Sequence, residues 1–126
     1  MREVFRRAFR SLAPGGVLVF DTAGPGRLPG PGPHKSHAAG AGWAVLVTVE
    51  EDAGRAVLTR DITTFREVSS GAYRRDDETH RLRLLAPAEV ESWLRGVGFE
   101  VRVARSYGQT RLPAGLTGYW ARKPRR

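Results

Sequence analysis

Cysteine is absent from the 126 residues. Disulfides, thiolate zinc sites and cysteine nucleophiles are therefore excluded. Lysine is almost absent: of 21 basic residues only Lys35 and Lys123 are lysine, and the rest are arginine. No apolar run approaches the length of a membrane span. The amino terminus is charged and has no long apolar core, so a signal peptide is not expected. A soluble, cytoplasmic chain is the expectation. There is no Gly-Lys-Ser/Thr ending of a phosphate loop, no Gly-x-Gly-x-x-Gly after a strand, and no internal repeat. His34 and His37 are separated by two residues with no third ligand nearby, so no metal site is expected.

The commonest residues are arginine, glycine and alanine. The formal charge is +8. Such a charge permits anionic ligands or nucleic acid. The basic residues are scattered, not clustered with interleaved aromatics, so a nucleic-acid partner is not expected. Abundant Arg, Gly, Ala and Pro with scarce Lys is also what a GC-rich coding sequence produces. The length suggests one domain over 1–126.

Phe9 to Thr22 organises the chain. An amphipathic helix over Met1–Ala13, with Val4, Phe5, Ala8 and Leu12 near one face, leads into it. Pro14-Gly15-Gly16 stops the helix, because proline cannot continue it and glycine tolerates positive φ. Val17-Leu18-Val19-Phe20 is an unbroken apolar run, expected to be a strand covered on both faces as in a parallel α/β sheet. Asp21 is expected just past its carboxyl end, where open α/β sheets bind ligands; alternatively it only caps a turn.

Gly24 to Gly42 holds six glycines and four prolines in nineteen residues and reads as a flexible loop. Residues 43–85 read as an antiparallel β meander. Trp43, Val45, Val47 and Val49 alternate with Ala44, Leu46, Thr48 and Glu50. Turns are expected at Glu51–Gly54 and Ser69–Gly71. Pro87–Val97 is a helix, with Val90, Trp93, Leu94 and Val97 at i, i+3, i+4 and i+7. Pro87 suits its first turn, Glu89 its positive end, and Gly98 its stop. Phe99–Tyr107 alternates as a strand with one wet face. Gly108–Gly115 turns, Leu116–Ala121 is a last strand, and Lys123–Arg126 is a frayed basic tail.

Helix, Leu-Ala-Pro-Gly-Gly, apolar strand and Asp21 together resemble the segment before and through the fifth strand of class I S-adenosylmethionine-dependent methyltransferases. The helix ending in Val97-Gly98-Phe99 resembles the stretch before their sixth strand. Gly118-Tyr119-Trp120-Ala121-Arg122-Lys123-Pro124 is similar to their last strand, which inserts antiparallel between the fifth and sixth. Arg60-Asp61-Ile62-Thr63-Thr64-Phe65 with Tyr73-Arg74-Arg75, Glu78, His80 and Arg81 is similar to a β insertion in one bacterial subgroup. The resemblance implies an α/β fold: a partial Rossmann-like sheet, strands five to seven, with an antiparallel β-meander insertion. It covers the carboxyl-terminal half of such an enzyme. The glycine-rich turn that cradles the cofactor and the acidic residue that holds its ribose have no counterpart here. The chain is therefore read as truncated, a fragment or half of a split enzyme. It is not expected to bind S-adenosylmethionine alone in the usual way, and cofactor-binding residues stay unassigned. The unpaired apolar edge of Val17–Phe20 implies a homodimer, a complementing amino-terminal half, or aggregation.

In the intact family fold the chemistry is in-line methyl transfer to a small-molecule nucleophile, with the protein positioning reactants and a base removing a proton. His80 is the candidate base, with an unperturbed pKa of ~6.5. Its alternation with Leu82 and Leu84 equally allows a hydrogen-bonded residue on a core face. Tyr73, Arg74 and Arg75 are candidate contacts for an anionic or aromatic substrate, or a solvated edge strand that Asp76, Asp77 and Glu78 neutralise. Asp21 and Tyr107 are candidates for lining the cleft. A different class also fits the meander and its arginines: a non-enzymatic β-sheet module binding a hydrophobic or anionic ligand. That reading leaves the Leu-Ala-Pro-Gly-Gly segment unexplained.

Overall fold

The computed structural model describes residues 1–30 and 32–126. Pro31, inside the predicted 24–42 loop, lies outside the described residues. The chain, read above as one domain, divides into two compact units: Met1–Arg27 with Leu84–Arg126, and Leu28–Arg83.

The first unit is a three-stranded sheet with two helices. Helix α1 spans Arg2–Ser11, strand β1 Val17–Ala23, helix α2 Pro87–Val97, strand β6 Glu100–Ala104 and strand β9 Leu116–Arg122. The sheet order is β1-β9-β6, and β9 pairs antiparallel with both neighbours. β1 and β6 therefore run parallel, with the last strand inserted between them. Ala13-Pro14-Gly15-Gly16 makes the reversal into β1: Gly16 N donates to Ala13 O at 2.8 Å, and Gly15 alone carries the positive φ, +83°. That is a Pro-Gly turn with the φ > 0 position at its third residue.

Both helices lie on one face of this sheet. Phe5 of α1 and Val90 and Leu94 of α2 are buried with Phe99, Val101, Tyr119 and Ala121, and Leu18 and Phe20 pack on the same cluster. Phe20 stacks on Tyr119 at 5.0 Å, and Phe9 meets Phe99 edge-on at 5.0 Å. The expectation that β1 is covered on both faces is wrong. Val17 and Val19 remain 37% and 53% exposed, because the helices follow the even-numbered residues only. Pairing with β9 also carries β1 three residues further than the apolar run, to Ala23, so Asp21 lies inside the strand opposite Gly118, not past its end.

The carboxyl terminus is not frayed at Lys123. Its Nζ donates to the carbonyls of Phe9 and Leu12 at 2.8 and 2.9 Å and sits 4.8 Å from the Phe9 ring. The backbone of Lys123 also pairs with Gly15 and Gly16. The ammonium thus satisfies carbonyls that the end of α1 would otherwise leave open, at the negative end of the helix dipole.

The second unit is a four-stranded antiparallel sheet in the order β2-β3-β4-β5: His34–Gly40, Trp43–Asp52, Val57–Ser69 and Ala72–Arg83. Part of the predicted 24–42 loop is thus the strand β2. Residues 34–40 show no apolar alternation; β3 supplies the pairing template, from His34 opposite Val49 to Gly40 opposite Trp43. One face carries Val45, Val47, Val49, Leu58, Ile62 and Leu82 in register. The other carries hydroxyl–carboxylate pairs: Thr63 to Asp77 and Thr79 to Asp61, each 2.7 Å. β5 ends at Arg83, two residues short of the expected strand, and Leu84 and Leu85 are buried beyond it.

Candidate functional site

In the first unit, residues 99–107 break at Arg105 and continue as a small hairpin, β7 Ser106–Tyr107 with β8 Thr110–Arg111. This hairpin brings Tyr107 back over the sheet. Its phenol donates to Asp21 Oδ2 at 3.1 Å. Gly118 makes that approach possible. It is the partner of both Asp21 and Ala104, and a Cβ there would meet Tyr107 Cε1 at 3.3 Å and Leu112 Cδ1 at 3.2 Å. On the opposite face the Thr22 hydroxyl donates to the buried Tyr119 oxygen at 3.4 Å. The result is a carboxylate with one oxygen held by a phenol and its other oxygen available. Such a group can receive a hydroxyl or ammonium, or take a proton from one.

The remaining predicted residues lie in the second unit, along β5, which is exposed on both faces. Strand alternation divides them. Tyr73 and Arg75 share one face, and Arg74 and His80 the other. Arg75 is engaged: its Nε lies 3.1 Å from Asp77, and its guanidinium sits over the Phe65 ring at 5.9 Å. Thr63 and then Arg75 hold the Asp77 carboxyl below the usual range. His80 shares the face of Leu58, Ile62 and Leu82 but is exposed there. Its Nε2 lies 3.4 Å from Glu78 and its side chain is well exposed, because β5 is an edge strand and Leu84 lies outside it. Arg74 stands opposite Arg66, a like-charged cross-strand pair. His34 and His37 fall on opposite faces of β2, and among the described residues no group of three acidic or histidine side chains could hold a metal. Among the described residues, no helix is long and apolar enough to cross a membrane.

All three tyrosines resist ionisation. Burial first, then donation to Asp21, raises the Tyr107 phenol. Burial raises Tyr119 against the opposing hydrogen bond from Thr22. A hydrogen bond to Glu67 raises Tyr73. A group raised on folding stabilises the fold below its unfolded pKa and loses that contribution as pH climbs through the folded value. Stability is thus expected to hold up to pH ~10 and fall above it. Phenolate absorbance should titrate above free tyrosine, and Tyr107→Phe should remove one high-pH component. A titration matching free tyrosine would contradict the Asp21–Tyr107 contact.

The topology defines a fold. A final strand inserted antiparallel between two parallel strands, both helices packed on one face and a β meander between the halves give the fold of S-adenosylmethionine-dependent methyltransferases. No family model matches the sequence, and no curated protein does. Solved structures do. An S-adenosylmethionine-dependent methyltransferase from Clostridium acetobutylicum ATCC 824 superposes with a TM-score of 0.77 at 16% identity, over 98% of this chain and 50% of that one. The CcbJ methyltransferase from Streptomyces caelestis gives 0.74 at 19%, over 97% and 52%. CalS10, an amino pentose methyltransferase from Micromonospora echinaspora solved with S-adenosylmethionine bound, gives 0.68 at 18%, over 97% and 50%. The chain therefore spans about half the length of the structures it matches.

The residues present do not by themselves fit the cofactor. That fold's cradle is a strand, a glycine-rich turn and a helix. Here β1 runs through Gly24 and Gly26 into another strand, β2. The strand-to-helix connection, Leu84–Ala86, holds no glycine, and its helix opens on Pro87. Arg105 and Arg111, beside Tyr107, escaped the sequence reading. A break in the 99–107 alternation would have been the signal, and Arg105 interrupts it with no apolar partner to mark the turn.

Proposed function

We propose that this chain is the acceptor-binding, carboxyl-terminal half of a cytoplasmic S-adenosylmethionine-dependent methyltransferase acting on a small molecule. The observation that carries the reading is the β1-β9-β6 order with Asp21 on β1 near its carboxyl end, held there by Tyr107 of β7, at the edge where open α/β sheets bind ligands. In this reading Asp21 anchors a hydroxyl or amine of the acceptor, and Tyr107 fixes the carboxylate. On the meander unit taken by itself, His80 is the proposed base with Arg74 on its face of β5, and Tyr73 and Arg75 are proposed substrate contacts on the other face. The half that holds the cofactor is supplied by residues outside these 126, in the same chain or another. Neither nucleic acid nor membrane enters the proposal.

The free edge of β1 is where that half joins. The two edges of the sheet differ in kind: β6 presents Glu100 and Arg102, while β1 presents Val17 and Val19 with no lysine or proline to blunt it. Alone, the chain is expected to use the same edge on a second copy. Light scattering should give about twice 13.9 kDa, and Val19→Lys should return the mass to that of one chain. A wild-type chain that stays monomeric at high concentration would sink this part of the proposal.

A second reading draws on the meander forming a compact unit of its own: a non-enzymatic ligand-binding sheet. It predicts a ligand whose affinity ignores Asp21→Asn and Tyr107→Phe, where the methyltransferase reading predicts sensitivity to both.

A further inference from the structure

A cavity of about 360 Å³ opens in the first unit where β8 returns to β9. It is lined by Arg105, Arg111 and the loop Leu112-Pro113-Ala114-Gly115. Two arginines thus line one concave site, and among the described residues neither forms an ion pair. The hairpin register sets where each arginine leaves the backbone. Ser106 pairs with Arg111, and Leu112 N donates to Arg105 O at 2.9 Å. The loop is itself closed by Leu116 N to Pro113 O at 3.1 Å and by Gly24 N to Gly115 O at 2.8 Å. An anion in a site lined by two arginines without an ion-pair partner gains charge-assisted hydrogen bonds.

The cavity adjoins the Asp21–Tyr107 pair. Leu112, part of its wall, and Tyr107 both lie against the bare backbone of Gly118, and Tyr107 is two residues from Arg105. We propose that this cavity is an oxyanion subsite, in which Arg105 and Arg111 seat the phosphate or carboxylate of a small molecule whose neutral or cationic part reaches Asp21. That the molecule is a methyl acceptor rests on the preceding section; the oxyanion binding does not. Asp21 repels an anion, so the two subsites fix a direction: the charged end lies at the arginines and the donor end at the carboxylate.

The test is calorimetric titration of the whole chain at low salt with inorganic pyrophosphate and, separately, with succinate. The wild type is compared with Arg105→Gln/Arg111→Gln and with a charge-matched control, Arg7→Gln/Arg10→Gln on α1. Saturable binding of either probe, retained in the control and weakened about tenfold or more per arginine in the site variant, is the expected result. The preferred probe identifies phosphate or carboxylate as the natural group. If the double variant melts early by circular dichroism, Arg111→Gln alone carries the comparison. No saturable binding of either probe, or equal weakening in site and control variants, would overturn the proposal. Neither outcome depends on whether the chain binds a methyl donor.

Discussion

Gly115→Ala is expected to cost about 3 kcal/mol of stability, against about 1 kcal/mol for Gly108→Ala. Both glycines have positive φ, +81° and +60°. A Cβ at Gly108 meets nothing within 4 Å, so that variant carries only the backbone strain. A Cβ at Gly115 falls 2.7 Å from the Arg27 Cα, a backbone atom that cannot swing aside. The loop must shift, and the Gly24 N to Gly115 O hydrogen bond must lengthen with it. Because Gly115 also lines the arginine cavity, pyrophosphate affinity should fall in the same variant. Chemical denaturation of the pair checks the prediction. Equal costs would mean that the Arg27 contact does not hold the loop.

Leu94→Ala should be the most damaging truncation in the first unit, at about 3–4 kcal/mol and roughly 15 °C in Tm. Leu94 is 0% exposed and lies among Phe5, Val90, Phe99 and Tyr119 on the helix-covered face. That sheet has helices on one face only, so no second core in the unit compensates for the cavity. A small fold has about 5–15 kcal/mol in total, and the loss approaches half of it. Arg7→Ala removes an exposed ion pair, 3.1 Å to Glu3, and should change stability by less than about 0.5 kcal/mol. A broad, small loss for Leu94→Ala would mean that the core is looser than its burial implies.

How much of this was legible depends on how local the cause was. Helix α2 is written in its own residues: Pro87 at the start, apolar positions at helical spacing and Gly98 at the end, and the structure places it at Pro87–Val97 as expected. The strands of the meander declare themselves by β-branched alternation. β2 does not, because a Gly/Pro-rich segment with His34, Lys35 and Ser36 becomes a strand only through the register β3 imposes. The exposed face of β1 was illegible for the opposite reason. Val17 and Val19 look like core residues, and only the placement of both helices on the other face leaves them bare. The candidate site shows the same division. Asp21 could be picked out because it follows an apolar strand, but its contact with Tyr107 spans 86 positions and needs the side-chain-free Gly118 between them. Arg105 shows in the sequence only as a break in the 99–107 alternation and Arg111 not at all; the hairpin places both on the wall of one cavity. His80 keeps the phase with Leu82 that the sequence shows, but at an edge strand that face leaves it exposed.

The most direct test of the central claim is calorimetric titration of the purified 126-residue chain with S-adenosylhomocysteine. These residues are assigned to the acceptor side, and among the described residues no strand runs through a glycine-rich turn into a helix. No saturable binding is therefore expected up to millimolar concentration. Saturable, one-site binding with micromolar affinity would contradict the assignment. The cofactor site would then be built by residues assigned other roles here, and the chain would be a cofactor-binding unit in its own right.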